Sequence, residues 1–100
     1  MPVTLVSILE GRTPAQKLSL MEAVQTAIAT TLKLPPHDRN LRLCVHGRDE
    51  WLLPEGKGDA YTLVEIALFA GRTPETKSAL YAAIVDALEA QGVPRGDVFL

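Results

Sequence analysis

The strongest constraint on this chain is that it contains the same segment twice. Gly11-Arg12-Thr13-Pro14 recurs sixty residues later as Gly71-Arg72-Thr73-Pro74, and the same offset superposes Lys17 on Lys77, Leu20 on Leu80, Ala23 on Ala83 and Ala27 on Ala87. With one residue dropped near the end of the repeat's helix, Pro35-x-x-Asp38 falls on Pro94-x-x-Asp97. The expected organisation is one domain over residues 1–100: a first repeat over 2–46, a connecting loop over 47–60 and a second repeat over 61–100.

Each copy reads as strand, turn, helix, strand. Val3 to Leu9 and residues 63–69 are short apolar stretches with β-branched residues, each closed by Gly-Arg-Thr-Pro, in which Gly permits a sharp turn and Pro suits the first helical position. Thr13 and Thr73 are the expected N-caps. Gln16 stands three residues after Thr13, the spacing of a capping box, whereas the second copy has Thr76 there and lacks the reciprocal bond. The helices are expected over Pro14 to Leu32, with Leu18, Met21, Val24, Ile28 and Leu32 on the apolar face, and over Pro74 to Ala90, with Leu80, Ile84, Ala87 and Leu88. Pro35-Pro36 and Gln91-Gly92-Val93-Pro94 end them. Residues 41–45 form the return strand of the first copy, and the stretch around Trp51-Leu52-Leu53 reads as an extended loop or small hairpin. The second copy reaches Phe99-Leu100 barely into its return strand, so either the natural chain continues or its ending is unusual.

A parallel strand pair requires a right-handed crossover, so each unit is a β-α-β. The expected fold class is α+β: tandem β-α-β repeats forming one mixed four-stranded sheet with two helices on one face. The other face is left with apolar side chains, expected from Val3, Leu5, Ile66 and Leu68, which only another subunit can bury. A closed ring of chains follows as the expected assembly.

Ten Lys and Arg against twelve Asp and Glu give a net charge of −2, and the basic residues are scattered. That leaves no electrostatic footprint for nucleic acid or for an anionic membrane. No run approaches the length of a membrane span, and the lone Cys44 forms no internal disulfide, which fits a reducing cytoplasm. His37 and His46 lack ligand spacing with any Cys or second His, so no metal is expected. Gly56-Lys57-Gly58 is no phosphate-cradling loop.

Pro2 is the residue with the most distinctive chemistry. A methionine before a small residue is normally removed, so the mature chain would begin with a prolyl secondary amine, whose pKa burial or nearby cations bring down toward neutrality and into the range of a general base. The alternative is a proline that merely follows the initiator and starts an edge strand. If the two first strands pair antiparallel about the repeat's pseudo-two-fold axis, Arg72 comes to face Pro2, while Arg12 lies beside Thr62, the non-basic counterpart of Pro2. Arg72 then binds a substrate carboxylate through a forked pair of hydrogen bonds, and Arg12 is the internal control. Asp38 and Arg39 stand at the mouth of the first return strand. Asp38 either activates water or orients a bound acid, or caps a local turn as Asp97 does in its own copy; Arg39 has Val98 as counterpart. Trp51 and Tyr61 either line an apolar pocket wall or pack within the connecting loop, and Cys44 reads as a small buried thiol.

Pro2 together with Val6-Ser7-Ile8-Leu9-Glu10-Gly11-Arg12-Thr13 and the Gln16-Lys17 that follows resembles the opening of the tautomerase superfamily, whose short members include 4-oxalocrotonate tautomerase. The resemblance covers the whole chain, since longer members are fused doublets, among them the malonate semialdehyde decarboxylase and cis-3-chloroacrylic acid dehalogenase groups, and it implies a homotrimeric tautomerase/MIF-like fold without a cofactor. It implies Pro2 as catalytic base or acid, Arg72 as the carboxylate-binding residue, and Asp38 as a functional acid within a Pro-x-x-Asp-Arg segment that Arg39 completes; Arg72, Arg39 and Arg12 are the candidate substrate-binding arginines. Of the two arginines that the decarboxylase group carries near this turn, Arg72 matches one and Ala70 stands in place of the other. The function so implied is a cofactor-independent keto–enol tautomerase of small 2-keto acids or their enols. The alternatives are a decarboxylase, hydratase or dehalogenase of small acids on the same site, or a non-catalytic trimeric binding protein in which Pro2 is a remnant.

Overall fold

Thr13 and Thr73 decide where the two helices begin. In the computed structural model, which describes residues 2–68 and 72–100, both adopt extended backbone and both side-chain oxygens accept the amide three residues on, from Gln16 and Thr76. Gln16 closes a full capping box by accepting from the Thr13 amide at 2.8 Å. Thr76 carries no amide oxygen and receives only the Thr73 hydroxyl, at 2.9 Å. The chain order is β1 (Val3–Leu9), α1 (Pro14–Leu32), β2 (Leu41–His46), β3 (Thr62–Ala67), α2 (Pro74–Ala90) and β4 (Val98–Phe99). Gly11, at φ 127°, makes the turn from β1 into α1 that a side chain would strain. Lys33 closes α1 in the left-handed region at φ 56°, without the glycine usual there.

The four strands form one sheet in the order β2-β1-β3-β4. β1 runs parallel to β2 and antiparallel to β3, and β3 runs parallel to β4. The pseudo-two-fold axis therefore passes between β1 and β3, as the repeat requires. The helices pack on each other over a single face, where Val6, Ile8 and Val64 meet Leu20, Val24, Ile28, Leu80, Ile84 and Leu88, all at most 1% exposed.

Three details depart from the sequence expectation. The α1 core face runs through Leu20, Val24, Ala27, Ile28 and Leu32, while Leu18 is exposed and Met21 half-buried; packing against α2 turns the helix toward Ala27. Ile66 and Leu68 pack against the helix-side core and not on the open face. The register accounts for this: Thr4 lies opposite Ile66 and Val6 opposite Val64, so these residues share the helix side, leaving Val3, Leu5, Leu63 and Ala67 in the other phase. Of the two alternatives for the connecting loop the extended loop holds: among the described residues it contains a short 3-10 turn at Arg48–Glu50 and no hairpin. The expected strand over 63–69 begins at Thr62, and its last residue lies outside the described residues.

Candidate active site

Strand direction brings the residues of interest to one end of the sheet. Pro2 precedes β1 and is buried. In the antiparallel register Val3 lies opposite Ala67, so one further step puts Leu68 across from Pro2. On the other flank the Thr4 amide donates to the Asn40 carbonyl at 2.9 Å, which ties residues 38–40, arriving from α1, to the same end of β1. Residues 69–71 lie outside the described residues. Arg72, half-buried, stands immediately before the α2 N-cap Thr73. Pro2, Asp38, Arg39 and Arg72 thus belong to the end of the sheet where β1 and β2 begin and β3 finishes.

Arg12 belongs to the opposite end. It follows the far end of β1, about 20 Å away at the rise of an extended strand. Arg12 is half-buried, and burial lowers its pKa from the ordinary arginine value. Within one chain it is not brought to Pro2. Trp51 and Tyr61 lie at that far end too. Trp51 packs edge-on against His46 at 5.1 Å and against Tyr61 at 5.4 Å, so these rings pack with the connecting loop rather than around Pro2. Cys44 is a free thiol, half-buried in β2.

The two repeat-related aspartates do different work. Asp97 spends its carboxylate on structure, because Oδ1 accepts the Gly58 amide at 3.2 Å and so ties the connecting loop to the 3-10 turn Arg95–Asp97. Asp38 holds its turn through the backbone alone, its amide donating to the Pro35 carbonyl at 3.0 Å. The Asp38 Oδ1 atom is buried and has no partner among the described residues. A buried carboxylate oxygen left without a donor costs stability, so it is the kind of atom whose presence needs a reason beyond folding.

A cavity of about 590 Å³ opens between α1 and the segment that carries Asp38, lined among others by Met21, Gln25, Pro35, Arg39 and Leu41. Its wall mixes Arg39 with Glu22 and with apolar groups, and none of Pro2, Asp38 and Arg72 lines it. Gln25 also donates from Nε2 to the Asp38 carbonyl at 3.4 Å. Sequence reading passes over Gln25; the signal it offers is that the second repeat has Val85 in its place.

A profile of the family described as "Tautomerase enzyme" matches residues 38–100, more than half of the chain. The chain belongs to the tautomerase family. No curated protein matches. Among solved structures, a malonate semialdehyde decarboxylase is 27% identical, with 97% of this chain and 79% of that one covered at a TM-score of 0.87. The FG41 malonate semialdehyde decarboxylase inhibited by 3-bromopropiolate is 28% identical over 97% of this chain and 78% of that one, at 0.84. The wild-type Q0 fused 4-OT, a symmetric trimer, is 32% identical over 96% of this chain and 79% of that one, at 0.85. The tautomerase fold of two β-α-β units in one mixed sheet is thereby shared with both decarboxylating and tautomerising relatives, and no helix among the described residues is long and apolar enough to cross a membrane.

Proposed function

We propose that this chain is a cofactor-independent keto–enol tautomerase of small 2-keto acids or their enols, working as a homotrimer in a reducing compartment with Pro2 as its base. After removal of Met1 the prolyl nitrogen takes a proton from the carbon beside the substrate carbonyl. The C–H electron pair becomes the C=C bond of the enolate, and the proton is returned to the enolate oxygen or to another carbon, so that nothing is gained or lost overall. Arg72 holds the substrate carboxylate in a fork and its charge helps to keep the amine neutral. The observation that carries the reading is the contrast between the aspartates: the one at the Pro2 end keeps a buried carboxylate oxygen unengaged, while its counterpart, whose copy has Thr62 where a base would stand, is tied into the scaffold.

A second reading, decarboxylation of a small β-oxo acid, is favoured by Pro35-x-x-Asp38-Arg39 and by the likeness to the two decarboxylases. Ala70 in place of the first arginine of that group's pair speaks against it.

The test is turnover of phenylenolpyruvate and of malonate semialdehyde by wild type and Pro2→Ala, after mass spectrometry has established that Met1 is gone. The tautomerase reading expects phenylenolpyruvate activity to fall by about a hundredfold or more in the variant, a usual share for a general base. The acid limb of wild-type kcat/KM should rise with pH through an amine pKa below the ordinary value of about 8, because only the neutral amine accepts a proton. Equal rates for both proteins, or a retained Met1, would remove Pro2 from the mechanism. Turnover of malonate semialdehyde alone would move the assignment to the second reading.

A further inference from the structure

Both repeats tether the loop after their helix back onto that helix, but with different chemistry. In the second copy the tether is an exposed ion-pair cluster in which Arg95 bonds Asp86 and reaches the Glu89 Oε2 at 3.2 Å, while the Asp97 carboxylate is engaged by the Gly58 amide. In the first copy the tether is the side-chain amide of Gln25 on the main-chain carbonyl of Asp38, partly buried. Pro36 stands where the second copy has Arg95, and Thr26 where it has Asp86, so the ion pair has no equivalent. A bond to the carbonyl fixes the residue's backbone and leaves its carboxylate alone. Had the same amide donated to the carboxylate, the Asp38 Oδ1 atom would be satisfied and unavailable.

We propose that Gln25 is a positioning residue for the reaction: it grips the Asp38 backbone from α1 and thereby holds the Asp38 carboxylate toward the Pro2 end of the sheet without consuming it. Three observations converge on this. Gln25 makes the one side-chain hydrogen bond that joins α1 to residues 35–40 among the described residues. It lines the cavity beside that segment together with Arg39. Its counterpart Val85 has no donor, in the copy whose aspartate carries a structural bond instead. The bond is long, so its grip is modest, of the size of one neutral hydrogen bond. The inference rests on the proposed role of the Pro2 site, and its test is built to fail separately.

Gln25→Met keeps the length and shape of the side chain and deletes the donor. Amide hydrogen exchange of Asp38 and Arg39, which are held by turn bonds to Pro35 and His37, is expected to accelerate several-fold in this variant while the α1 and α2 core amides keep wild-type protection. With phenylenolpyruvate, kcat is expected to fall about fivefold with KM nearly unchanged. In an Asp38→Asn background, adding Gln25→Met should cost less than twofold, since a residue that acts through Asp38 has nothing left to position. Unchanged exchange at Asp38 and Arg39 would overturn the tether whether or not any activity is found. Accelerated exchange with a kcat loss that simply multiplies with that of Asp38→Asn would overturn the positioning role. Failure of the Pro2 reading shows up elsewhere, as wild-type activity that survives Pro2→Ala.

Discussion

The repeat turns individual residues into controls for one another. Arg12 and Arg72 occupy the same place in identical Gly-Arg-Thr-Pro turns, both are half-buried, and each stands before a threonine N-cap. Their local structural contributions should therefore be alike, and any functional difference is due to what lies at their end of the sheet. Arg72→Ala is expected to raise KM and lower kcat, for a combined loss of about a hundredfold or more, because a forked, charge-assisted contact to a carboxylate is lost. Arg12→Ala should be within a few-fold of wild type at comparable thermal stability. Steady-state kinetics on the two variants decides it: equal losses would mean that the far end is used as well. Pro2, Arg72 and Asp38 stand out in the sequence as candidates because rare chemistry, a doubled Gly-Arg-Thr-Pro and a doubled Pro-x-x-Asp mark them. The distinction between Asp38 and Asp97 is not legible there, since it depends on whether a loop amide, that of Gly58, reaches the carboxylate. Nothing in the local sequence encodes that encounter.

At the scale of elements, helix limits are written into short-range chemistry and strand faces are not. Both helices start and stop at the expected residues, because Thr-Pro starts them, and Pro35-Pro36 and Gly92, at φ 88°, follow their ends. Alternation along residues 63–68 tells which side chains share a face, yet only the β1–β3 register tells that Val64, Ile66 and Leu68 take the helix side. α1 likewise carries leucine at both 18 and 20, and the crossing of α2 selects Leu20. The one sequence difference between the two caps makes a prediction at this scale. The Thr13 hydroxyl accepts the Gln16 amide at 3.2 Å while the Thr13 amide donates to the Gln16 side chain at 2.8 Å, whereas the Thr73 hydroxyl accepts the Thr76 amide at 3.1 Å with no such return bond. Thr13→Ala and Thr73→Ala should each cost about 1 kcal/mol, since each removes the side-chain oxygen that accepts a helix amide, while Gln16→Met, which breaks the reciprocal bond at the Thr13 amide, should cost about 0.5 kcal/mol. Urea unfolding with unchanged slope measures all three, and no loss in Gln16→Met would mean that the reciprocal Gln16 bond contributes nothing.

The whole molecule has one problem that its own chain does not solve. Two helices cover one face of the sheet, and the other face is covered unevenly. At the Leu9 end, Ser7 and Leu9 are buried, and Leu9 pairs across the ladder with His46, one of the rings that meet Trp51 edge-on. At the opposite end Val3 is 42% exposed and its partner across the ladder, Ala67, is exposed as well. Val3 and Ala67, bordered by the exposed Arg42 and Glu65 of the next row, are the candidate contact between copies on a chain that shares its fold with a symmetric trimer. The pair adjoins Pro2 in the chain and in the ladder, so a copy docked there would stand beside the candidate site. Oligomerisation and catalysis are then expected to be coupled through one end of the two central strands. Ala67→Asp puts a charge into that contact at a position already exposed in the isolated chain, so it should leave the fold intact and separate the copies, because a buried, unpaired carboxylate penalises only the assembled state. Sedimentation or light scattering should report the mass of single chains in place of three, far-ultraviolet circular dichroism should be unchanged, and tautomerase turnover should drop at least tenfold. A variant that stays trimeric would put the contact on another surface. A fully active monomer would show that the site around Pro2 is complete within one chain.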